Sequence, residues 1–230
     1  MTPVGALRGL HLALGAVLGA QAIVWLVSGV ALSWLPSDLV DGGGRAQTVI
    51  PAELDARSYA SPGGAIAQTP GASEVILRHF LGRTVYLARG PAGPALFDAR
   101  TGEKLSPLSD KMAREVARQD FVGAAEIASL DLLILPPPEF RGEAPVWRAS
   151  FADERRTRLY ISPSSGEVIA RRNRYSSIHD FFRRLHMMDY GGDGSDSDAA
   201  LKVFGGAALV YLLLGAGLLA ARHKARSSKQ

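Results

Sequence analysis

Two long apolar segments without a charged side chain constrain this chain more than any other feature of its sequence. The first covers residues 10–35 and the second covers residues 203–221. At about 1.5 Å per residue, a helix over the first segment is about 39 Å long, enough to cross a bilayer with some tilt. A signal peptide is the alternative, but the stretch is too long and no small-x-small cleavage site follows it. We predict transmembrane helices over residues 8–35 and 201–222.

The charges that flank the second segment predict how the chain is oriented. Four basic side chains follow it, in and just before the tail 223–230: Arg222, Lys224, Arg226 and Lys229. Three acidic side chains precede it: Asp193, Asp196 and Asp198. Because basic segments stay in the cytoplasm, both termini are predicted to be cytoplasmic. The intervening residues would then lie in the periplasm, outside a bacterial inner membrane.

Composition excludes several classes of protein. The chain has 230 residues, 47% of them hydrophobic, which is typical of one folded domain with accessory segments and not of a disordered chain. It has no cysteine, which excludes disulfides, thiolate metal sites and cysteine nucleophiles. Its net charge is only +4, and no basic stripe is interleaved with aromatic residues, so no nucleic-acid partner is predicted.

An internal repeat lies between the two apolar segments. After a predicted loop over residues 36–72, the stretches "GRTVYLARGPAGPALFDARTGEKL" and "APVWRASFADERRTRLYISPSSGEVI" follow one plan. Each has an alternating strand, a turn and a second strand, followed by Thr-Gly-Glu or Ser-Gly-Glu. Each copy is predicted to be a β-hairpin, with Gly102 or Gly166 supplying the positive φ of a tight turn.

A helix is predicted between the two copies, in "SDKMAREVARQDF". Ser109 and Asp110 form an N-cap signal, and the proline run 136–138 is expected to break the helix off. The apolar residues expected to face inward are Met112, Val116 and Phe121. Residues 73–173 are therefore predicted to be an α+β domain in which helices lie on small antiparallel sheets.

The stretch "RYSSIHDFFRRLHMMDY", residues 174–190, predicts an amphipathic helix at the membrane surface. Its Arg183 and Arg184 are expected on lipid head groups. The apolar residues expected in the lipid boundary are Ile178, Phe181, Phe182, Leu185 and Met188. Ser197 or Asp198 is expected to be the N-cap of the second transmembrane helix.

These motifs together resemble a known family. A helix followed by strands of the form V-Y-x-A…F-D-x-x-T-G-E is similar to the PepSY domain, here in tandem. "LHLALGAVLGAQAIVWLVSGVALS" and "FRRLHMMDY" resemble the first and closing segments of the PepSY-associated transmembrane helix family, so the resemblance covers residues 8–222. It implies one of two functions: ferric-siderophore reduction with b-type haem held by transmembrane histidines, or restraint of peptidases. Larger relatives have four crossings, whereas this chain has two.

His11 is the first candidate haem ligand. It is predicted to lie about one turn inside the cytoplasmic end of the first helix, where an ionisable residue indicates function. Its helical face holds Gly15, Leu18, Ala22, Trp25 and Gly29. Small residues there leave room for a flat macrocycle, and neutral imidazole is the usual axial ligand of an electron-carrying haem. Alternatively, "GAVLG" packs helix on helix as a GxxxG motif and the imidazole reaches water.

His186 and His179 are the other candidates, two helical turns apart and facing the same way. His186 matches the closing motif of the family, and His179 does not. Both are predicted at the opposite membrane surface from His11, so about 30 Å of hydrocarbon prevents one haem from joining His11 to His186. Ligation of haem b would therefore need a homodimer or a complex with another membrane subunit. His79 and His223 are predicted to be ordinary residues.

The sequence thus leaves two main hypotheses. In the first, the protein binds haem through His11 and His186 for electron transfer in ferric-siderophore reduction, and the PepSY-like domain orients the ferric substrate. This would make it a ferric reductase or an electron-transfer subunit, and no catalytic residue is assigned. In the second, it is a cofactor-free, membrane-tethered module that regulates a protease or envelope partner through exposed sheet edges. A third possibility is a subunit that supplies half of a haem site.

Overall fold

The computed structural model describes residues 3–40, 58–191 and 195–227. In chain order the elements are α1 (Pro3–Trp34), α2 (Ser37–Val40), α3 (Gly63–Ala67), β1 (Glu74–Phe80), β2 (Arg83–Gly90), β3 (Gly93–Asp98), α4 (Asp110–Asp120), β4 (Ile127–Leu133), β5 (Val146–Phe151), β6 (Arg158–Ile161), β7 (Val168–Arg172), α5 (Arg174–Met187) and α6 (Ser195–Ser227). The chain divides into two compact units. One comprises Met1–Pro36 with Ile178–Gln230, and the other comprises Ser37–Ser177.

The first unit is built on a pair of long helices, α1 and α6. Each helix has a stripe of residues that are buried or half-buried, spaced alternately four and three residues apart, as in a left-handed helix pair. In α1 the stripe is Leu7, His11, Leu14, Leu18, Gln21, Trp25, Ser28 and Leu32. In α6 it is Ser197, Leu201, Phe204, Ala208, Tyr211, Gly215 and Leu218.

The opposite faces of the two helices expose large apolar side chains. Leu26 is 70% exposed and Val203 is 74% exposed, and leucines and valines line both helices in the same way. An apolar surface of this kind is unfavourable in water and suits lipid. The segments Gly5–Trp34 and Ser197–His223 are long and apolar enough to cross a membrane. The two predicted apolar helices are confirmed as helices.

The start of α6 corrects one prediction. The helix begins at Ser195, so Ser197 and Asp198 lie inside it and neither is the N-cap. Polar and acidic residues favour the first turn of a helix as well as its cap, because they interact with the positive end of the helix dipole. Ser197 and Asp198 therefore predicted the region in which α6 begins but not its first residue.

The second unit is an α+β domain with two sheets, as predicted. β1, β2 and β3 form a three-stranded sheet in that order, and β4, β5, β6 and β7 form a four-stranded one. All neighbouring strands are antiparallel. The predicted repeat appears as the β2–β3 and β5–β6 hairpins. The turns after them are confirmed too, since Gly102 has φ 74° and Gly166 has φ 71°.

Helix α4 confirms its predicted N-cap but not its predicted end. Ser109 accepts a hydrogen bond from the Met112 backbone N–H over 3.3 Å. The predicted inward face is confirmed: Val116 is buried in the core, and the half-buried Met112 and Phe121 pack against it. The prolines do not end this helix: it stops at Asp120, because Phe121 is already extended, and β4 follows before the proline run.

Two further boundaries differ from the sequence prediction. The predicted loop 36–72 contains the short helices α2 and α3, and its residues 41–57 lie outside the described part of the chain. The predicted helix 174–190 ends at Met187. Met188 has a positive φ of 55°. The Met188 N–H donates to the Leu185 carbonyl over 3.4 Å, and the Asp189 N–H donates to the Arg184 carbonyl over 2.9 Å. These features form a left-handed C-cap. Met188 is only 4% exposed, so its predicted place in the lipid boundary is wrong.

One core joins both sheets to α4. Most of its members are large apolar side chains, and burying one such side chain stabilises a domain by about 1.5–3 kcal/mol. The buried members are Phe80, Val85, Leu87, Leu96, Leu108, Val116, Ala117, Ala149, Phe151, Leu159 and Ile161. The other face of the three-stranded sheet packs on Ala65 of α3, through Tyr86, Ala88, Ala95 and Phe97. The sheets therefore form a single domain and not two independent units.

The loop that precedes β5 is fixed to the outer face of the four-stranded sheet. Phe140 stacks on Tyr160, with ring centroids 4.6 Å apart. The buried Tyr160 hydroxyl donates to Glu139 Oε1 over 2.5 Å, and Arg158 pairs with the same carboxylate at 2.9 Å. Burial raises the pKa of Tyr160 well above its ordinary value of 10.0, and the hydrogen bond to Glu139 adds to the shift.

This shift predicts a loss of stability in alkali. Because the pKa of Tyr160 is raised in the folded state, its contribution is complete below about pH 10 and declines as the pH rises further. We expect the free energy of unfolding to fall less steeply above pH 10 in Tyr160→Phe than in the wild type. Unfolding measured from pH 8 to about pH 12 tests this. Equal slopes for the two proteins would contradict it.

Candidate functional site

His186 lies in the last turn of α5 against α1. Its Nδ1 is 3.2 Å from the hydroxyl of Ser28, which is fully buried. That hydroxyl also lies 2.7 Å from the Val24 carbonyl and 3.1 Å from the Trp25 carbonyl. The shorter distance, to the Val24 carbonyl, favours donation of the Ser28 hydroxyl proton to that carbonyl, and in the tautomer that matches it His186 Nδ1–H donates to Ser28 Oγ. The free lone pair of His186 is then on Nε2. Metal-binding histidines commonly have this tautomer, because a hydrogen bond from the other ring nitrogen fixes it.

A glycine of α1 allows this close approach. A Cβ on Gly29 would lie 3.3 Å from His186 Cε1 and 3.6 Å from Nδ1. The Trp25 ring lies beside the same imidazole, with ring centroids 6.4 Å apart. A larger residue than glycine at position 29 would therefore push the imidazole away from Ser28. Sequence reasoning selected His186, but it found neither Ser28 nor the role of Gly29.

His11 lies near the other end of α1, against α6. Its ring stacks on Tyr211, with centroids 4.3 Å apart and an interplanar angle of 1°. Each ring also faces a glycine of the opposite helix: a Cβ on Gly215 would lie 3.0 Å from His11 Cε1, and a Cβ on Gly15 would lie 3.0 Å from Tyr211 Cε2. His11 Nδ1 is buried and has no hydrogen-bond partner among the described residues.

The small residues predicted around His11 differ in what they contact. The space beside Gly15 is filled by Tyr211, so it does not leave room for a macrocycle between α1 and α6. Within the described chain only Gly15 of the GxxxG motif packs against the other helix, since no described atom lies within 4 Å of a Cβ placed on Gly19. Ala22, predicted on the same face, is exposed. Gly15 thus packs against Tyr211 of α6.

The two main candidates are far apart in one chain, as the sequence predicted. His186 contacts α1 at Ser28 and Gly29, which are 17 and 18 residues beyond His11, or about 26 Å along the helix axis. His179 lies a further two turns back along α5, with Nδ1 3.8 Å from the Asp180 carboxylate. Among the described residues, no group of three or more His, Asp or Glu side chains could hold a metal ion.

Axial ligation of haem by two imidazoles would need a second chain, because each end of the helix pair offers only one. Each end of the helix pair offers one imidazole near an apolar surface. At one end Nδ1 is held by Ser28, and at the other a buried Nδ1 has no partner. Because the rings of His11 and Tyr211 fill the glycine gaps between α1 and α6, the His11 ring would have to leave its stack on Tyr211 to bind a flat group together with a histidine of another chain.

Two more buried polar atoms lie on the same stripe of α1. Gln21 Nε2 and Trp25 Nε1 have no hydrogen-bond partner among the described residues. Trp25 packs on Phe204 of α6, with ring centroids 5.1 Å apart. Sequence reasoning missed Gln21, although extending the spacing of four and three residues from His11 would have placed it on the buried stripe.

The second unit contains a cleft that sequence reasoning did not find. Its volume is about 430 Å³, and it lies between the loop after α4 and the turn that joins β5 to β6. Arg171 pairs with both carboxylate oxygens of Asp120 at one wall. At the other wall, Asp153 accepts hydrogen bonds from the backbone N–H and the hydroxyl of Thr157, both over 2.6 Å. The volume is in the range of small-ligand sites.

Comparison of the chain with protein-family models, with curated proteins and with solved structures found no match.

Proposed function

We propose that the chain is a two-pass protein of a bacterial inner membrane, with a PepSY-like periplasmic domain, that binds b-type haem for electron transfer in ferric or ferric-siderophore reduction. The observation that carries this proposal is the contact of His186 Nδ1 with the buried Ser28 hydroxyl. A histidine whose Nδ1–H is held in this way presents Nε2 as a ligand, and a partner of this kind is typical of metal-binding histidines.

The histidines would act at opposite ends of the helix pair. His186 would be an axial ligand at the periplasmic surface, with Ser28 fixing its tautomer and ring orientation. His11 would be an axial ligand at the cytoplasmic surface, and His179 is the weaker third candidate. Haem supplies a site that gains and loses one electron, and the chain contributes the ligands and the apolar surroundings.

The same geometry supports a complex of two chains. One chain supplies a single imidazole at each end, about 26 Å apart along α1, whereas an electron-carrying haem of this type has two imidazoles. A homodimer would pair each histidine with its copy, and a different membrane subunit could supply the partner ligands instead. The proposed orientation, with both termini in the cytoplasm, is supported by the basic residues after the second apolar segment.

Absorbance of the detergent-purified protein tests the proposal. We expect a Soret band and α-bands that sharpen on reduction, with most of this absorbance lost in His186→Ala and a large part lost in His11→Ala. His223→Ala is the matched control, because it replaces an exposed histidine near the C-terminal end of α6 and should leave the spectrum unchanged. A colourless preparation from haem-replete cells would exclude the proposal.

A serine variant sharpens the same experiment. Ser28→Ala keeps the imidazole but removes the acceptor for Nδ1–H, and the loss of such a partner typically weakens metal binding about 10–100-fold. We expect Ser28→Ala to bind haem more weakly than the wild type and Ser33→Ala to bind it equally. Ser33 is the matched control, since it is an exposed serine of α1 whose hydroxyl donates to the Val30 carbonyl over 2.8 Å.

A second candidate function is favoured by the surface of the second unit. Strand β4 is at an edge of its sheet, and apolar side chains are exposed at its end: Leu132 (45%), Ile134 (66%) and Leu135 (88%). An exposed sheet edge with apolar neighbours is a common docking site for another protein. In this alternative the chain is a cofactor-free, membrane-tethered module that regulates a protease or an envelope partner, and the purified protein is colourless.

A further inference from the structure

The two copies of the internal repeat end in the same hydrogen-bonded turn. The first turn runs from Asp98 to Glu103 and the second from Ser162 to Glu167. In the first, Asp98 N–H donates to the Glu103 carbonyl over 2.8 Å; in the second, Ser162 N–H donates to the Glu167 carbonyl over 2.9 Å. Each glycine N–H donates to the first residue's carbonyl over 2.9 Å, and both glycines have positive φ.

Side chains continue the match. Asp98 Oδ1 accepts from the Thr101 backbone N–H over 3.1 Å, and Thr101 Oγ1 accepts from the Glu103 N–H over 3.2 Å. In the second turn, Ser162 Oγ accepts from the Ser165 N–H over 3.2 Å, and Ser165 Oγ accepts from the Glu167 N–H over 3.3 Å. The two turns therefore share their internal hydrogen bonds and a glycine flanked by a hydroxyl residue and a glutamate, whereas Asp98 and Arg100 of the first turn correspond to Ser162 and Ser164 of the second.

The second turn is bound by strand β1. Arg78 donates to Glu167 Oε1 over 2.9 Å and also donates to the Ser165 carbonyl. The ring of Phe80 covers Gly166 so closely that a Cβ on this glycine would lie 2.8 Å from the ring's Cζ. An arginine and an aromatic residue, two positions apart on an extended strand, are thus what this kind of turn binds.

The first turn has no such partner in the described part of the chain. Thr101 and Glu103 are exposed, and no described atom lies within 4 Å of a Cβ placed on Gly102. No ion pair joins Glu103 to any of the described residues. A second copy of this chain cannot supply the missing strand through β1, because its own Arg78 and Phe80 already hold its second turn.

We propose that the turn Thr101–Gly102–Glu103 binds an extended strand of a different protein, one that carries an arginine two residues before an aromatic side chain. The partner's guanidinium would pair with Glu103 and donate to the Thr101 carbonyl, and its ring would cover Gly102. Charge complementarity and the open glycine surface provide the same contacts that Arg78 and Phe80 make on the second turn. This proposal does not depend on haem and holds under either proposed function.

A peptide copied from the chain tests the proposal. The probe is a fluorescent peptide with the sequence EVILRHF, residues 74–80, added to the full-length protein in lipid nanodiscs. We expect saturable binding to the wild type and binding about tenfold weaker to Glu103→Arg, since a paired carboxylate becomes a repelling cation. Glu143→Arg is the matched control, because it reverses an exposed glutamate of the same domain and should bind as the wild type does.

A charge swap fixes the location of the binding. A peptide with glutamate in place of its arginine should bind Glu103→Arg better than it binds the wild type. Absence of saturable binding to the wild type, or equal binding to Glu103→Arg, would overturn the proposal. It would also be overturned if Glu167→Arg and not Glu103→Arg weakened binding, because the peptide would then have taken the place of β1 at the second turn.

Discussion

Alanine at Gly166 should lower the free energy of unfolding of the second unit by about 2–5 kcal/mol, whereas alanine at Gly102 should lower it by only about 1–2 kcal/mol. Both glycines have positive φ, 71° and 74°, so each substitution costs the strain of an L residue in the left-handed region, about 1–2 kcal/mol. Only Gly166 is covered: its new Cβ would overlap the ring of Phe80, which belongs to the core. Overpacking of this kind adds about 1–3 kcal/mol.

The difference between the two variants is the decisive measurement. Denaturant unfolding can be followed through the fluorescence of Trp147, whose indole N–H donates to the Leu108 carbonyl over 3.1 Å. Replacing Trp25 and Trp34 by phenylalanine in every variant leaves Trp147 as the single tryptophan. Equal losses at the two glycines would show that Phe80 moves aside at little cost and that the second turn is not closely held.

Local features of the sequence were sufficient to predict the four longer helices, α1, α4, α5 and α6, and the repeated turns. A long uncharged apolar segment has few alternatives to a helix, because its backbone polar groups must be satisfied within the segment. A glycine after two strand-like runs indicates a tight turn for an equally local reason, and the φ values of Gly102 and Gly166 agree. The Ser109 N-cap was predictable because its hydrogen bond joins residues only three apart.

Features that depend on distant residues were not predictable in the same way. Strand β4 (Ile127–Leu133) is an edge strand whose partner β5 begins at Val146, so no short turn marks the pair. The sequence instead suggested that the proline run ended α4. The cleft beside Asp120 and Arg171 depends on a contact between residues 51 apart in sequence. Such a contact leaves no pattern in a single chain.

The candidate site shows the same division. The separation of His11 and His186 followed from the length of the first apolar helix, and the structure agrees with it. The partners of these histidines depend on how α1 and α6 are rotated about their axes, which the packing of whole stripes decides. The sequence therefore did not predict Ser28 as the partner of His186 or Tyr211 as the partner of His11. Both residues nevertheless lie on the buried stripes of α1 and α6.

The close contact of α1 and α6 at His11 leads to the second prediction with a large effect. Leucine at Gly215 should destabilise the helix pair by about 1–3 kcal/mol, because the leucine has to displace the His11 imidazole from its stack on Tyr211. Leucine at Gly217 is the matched control: it lies on the same helix, and no described atom is within 4 Å of its Cβ position. There leucine should be neutral or slightly stabilising, since leucine favours helices over glycine.

Helix content during titration of the detergent-solubilised protein with sodium dodecyl sulfate separates the two variants. We expect the midpoint for Gly215→Leu to fall clearly below that of the wild type and the midpoint for Gly217→Leu to stay at or above it. Equal midpoints would mean that α1 and α6 do not pack through the His11–Gly215 contact. The proposed ligand geometry at the cytoplasmic end would then have no support, whereas that of His186 at Ser28, about 26 Å away, would stand. Combining each variant with the Soret measurement therefore assigns any loss of haem to one end of the helix pair.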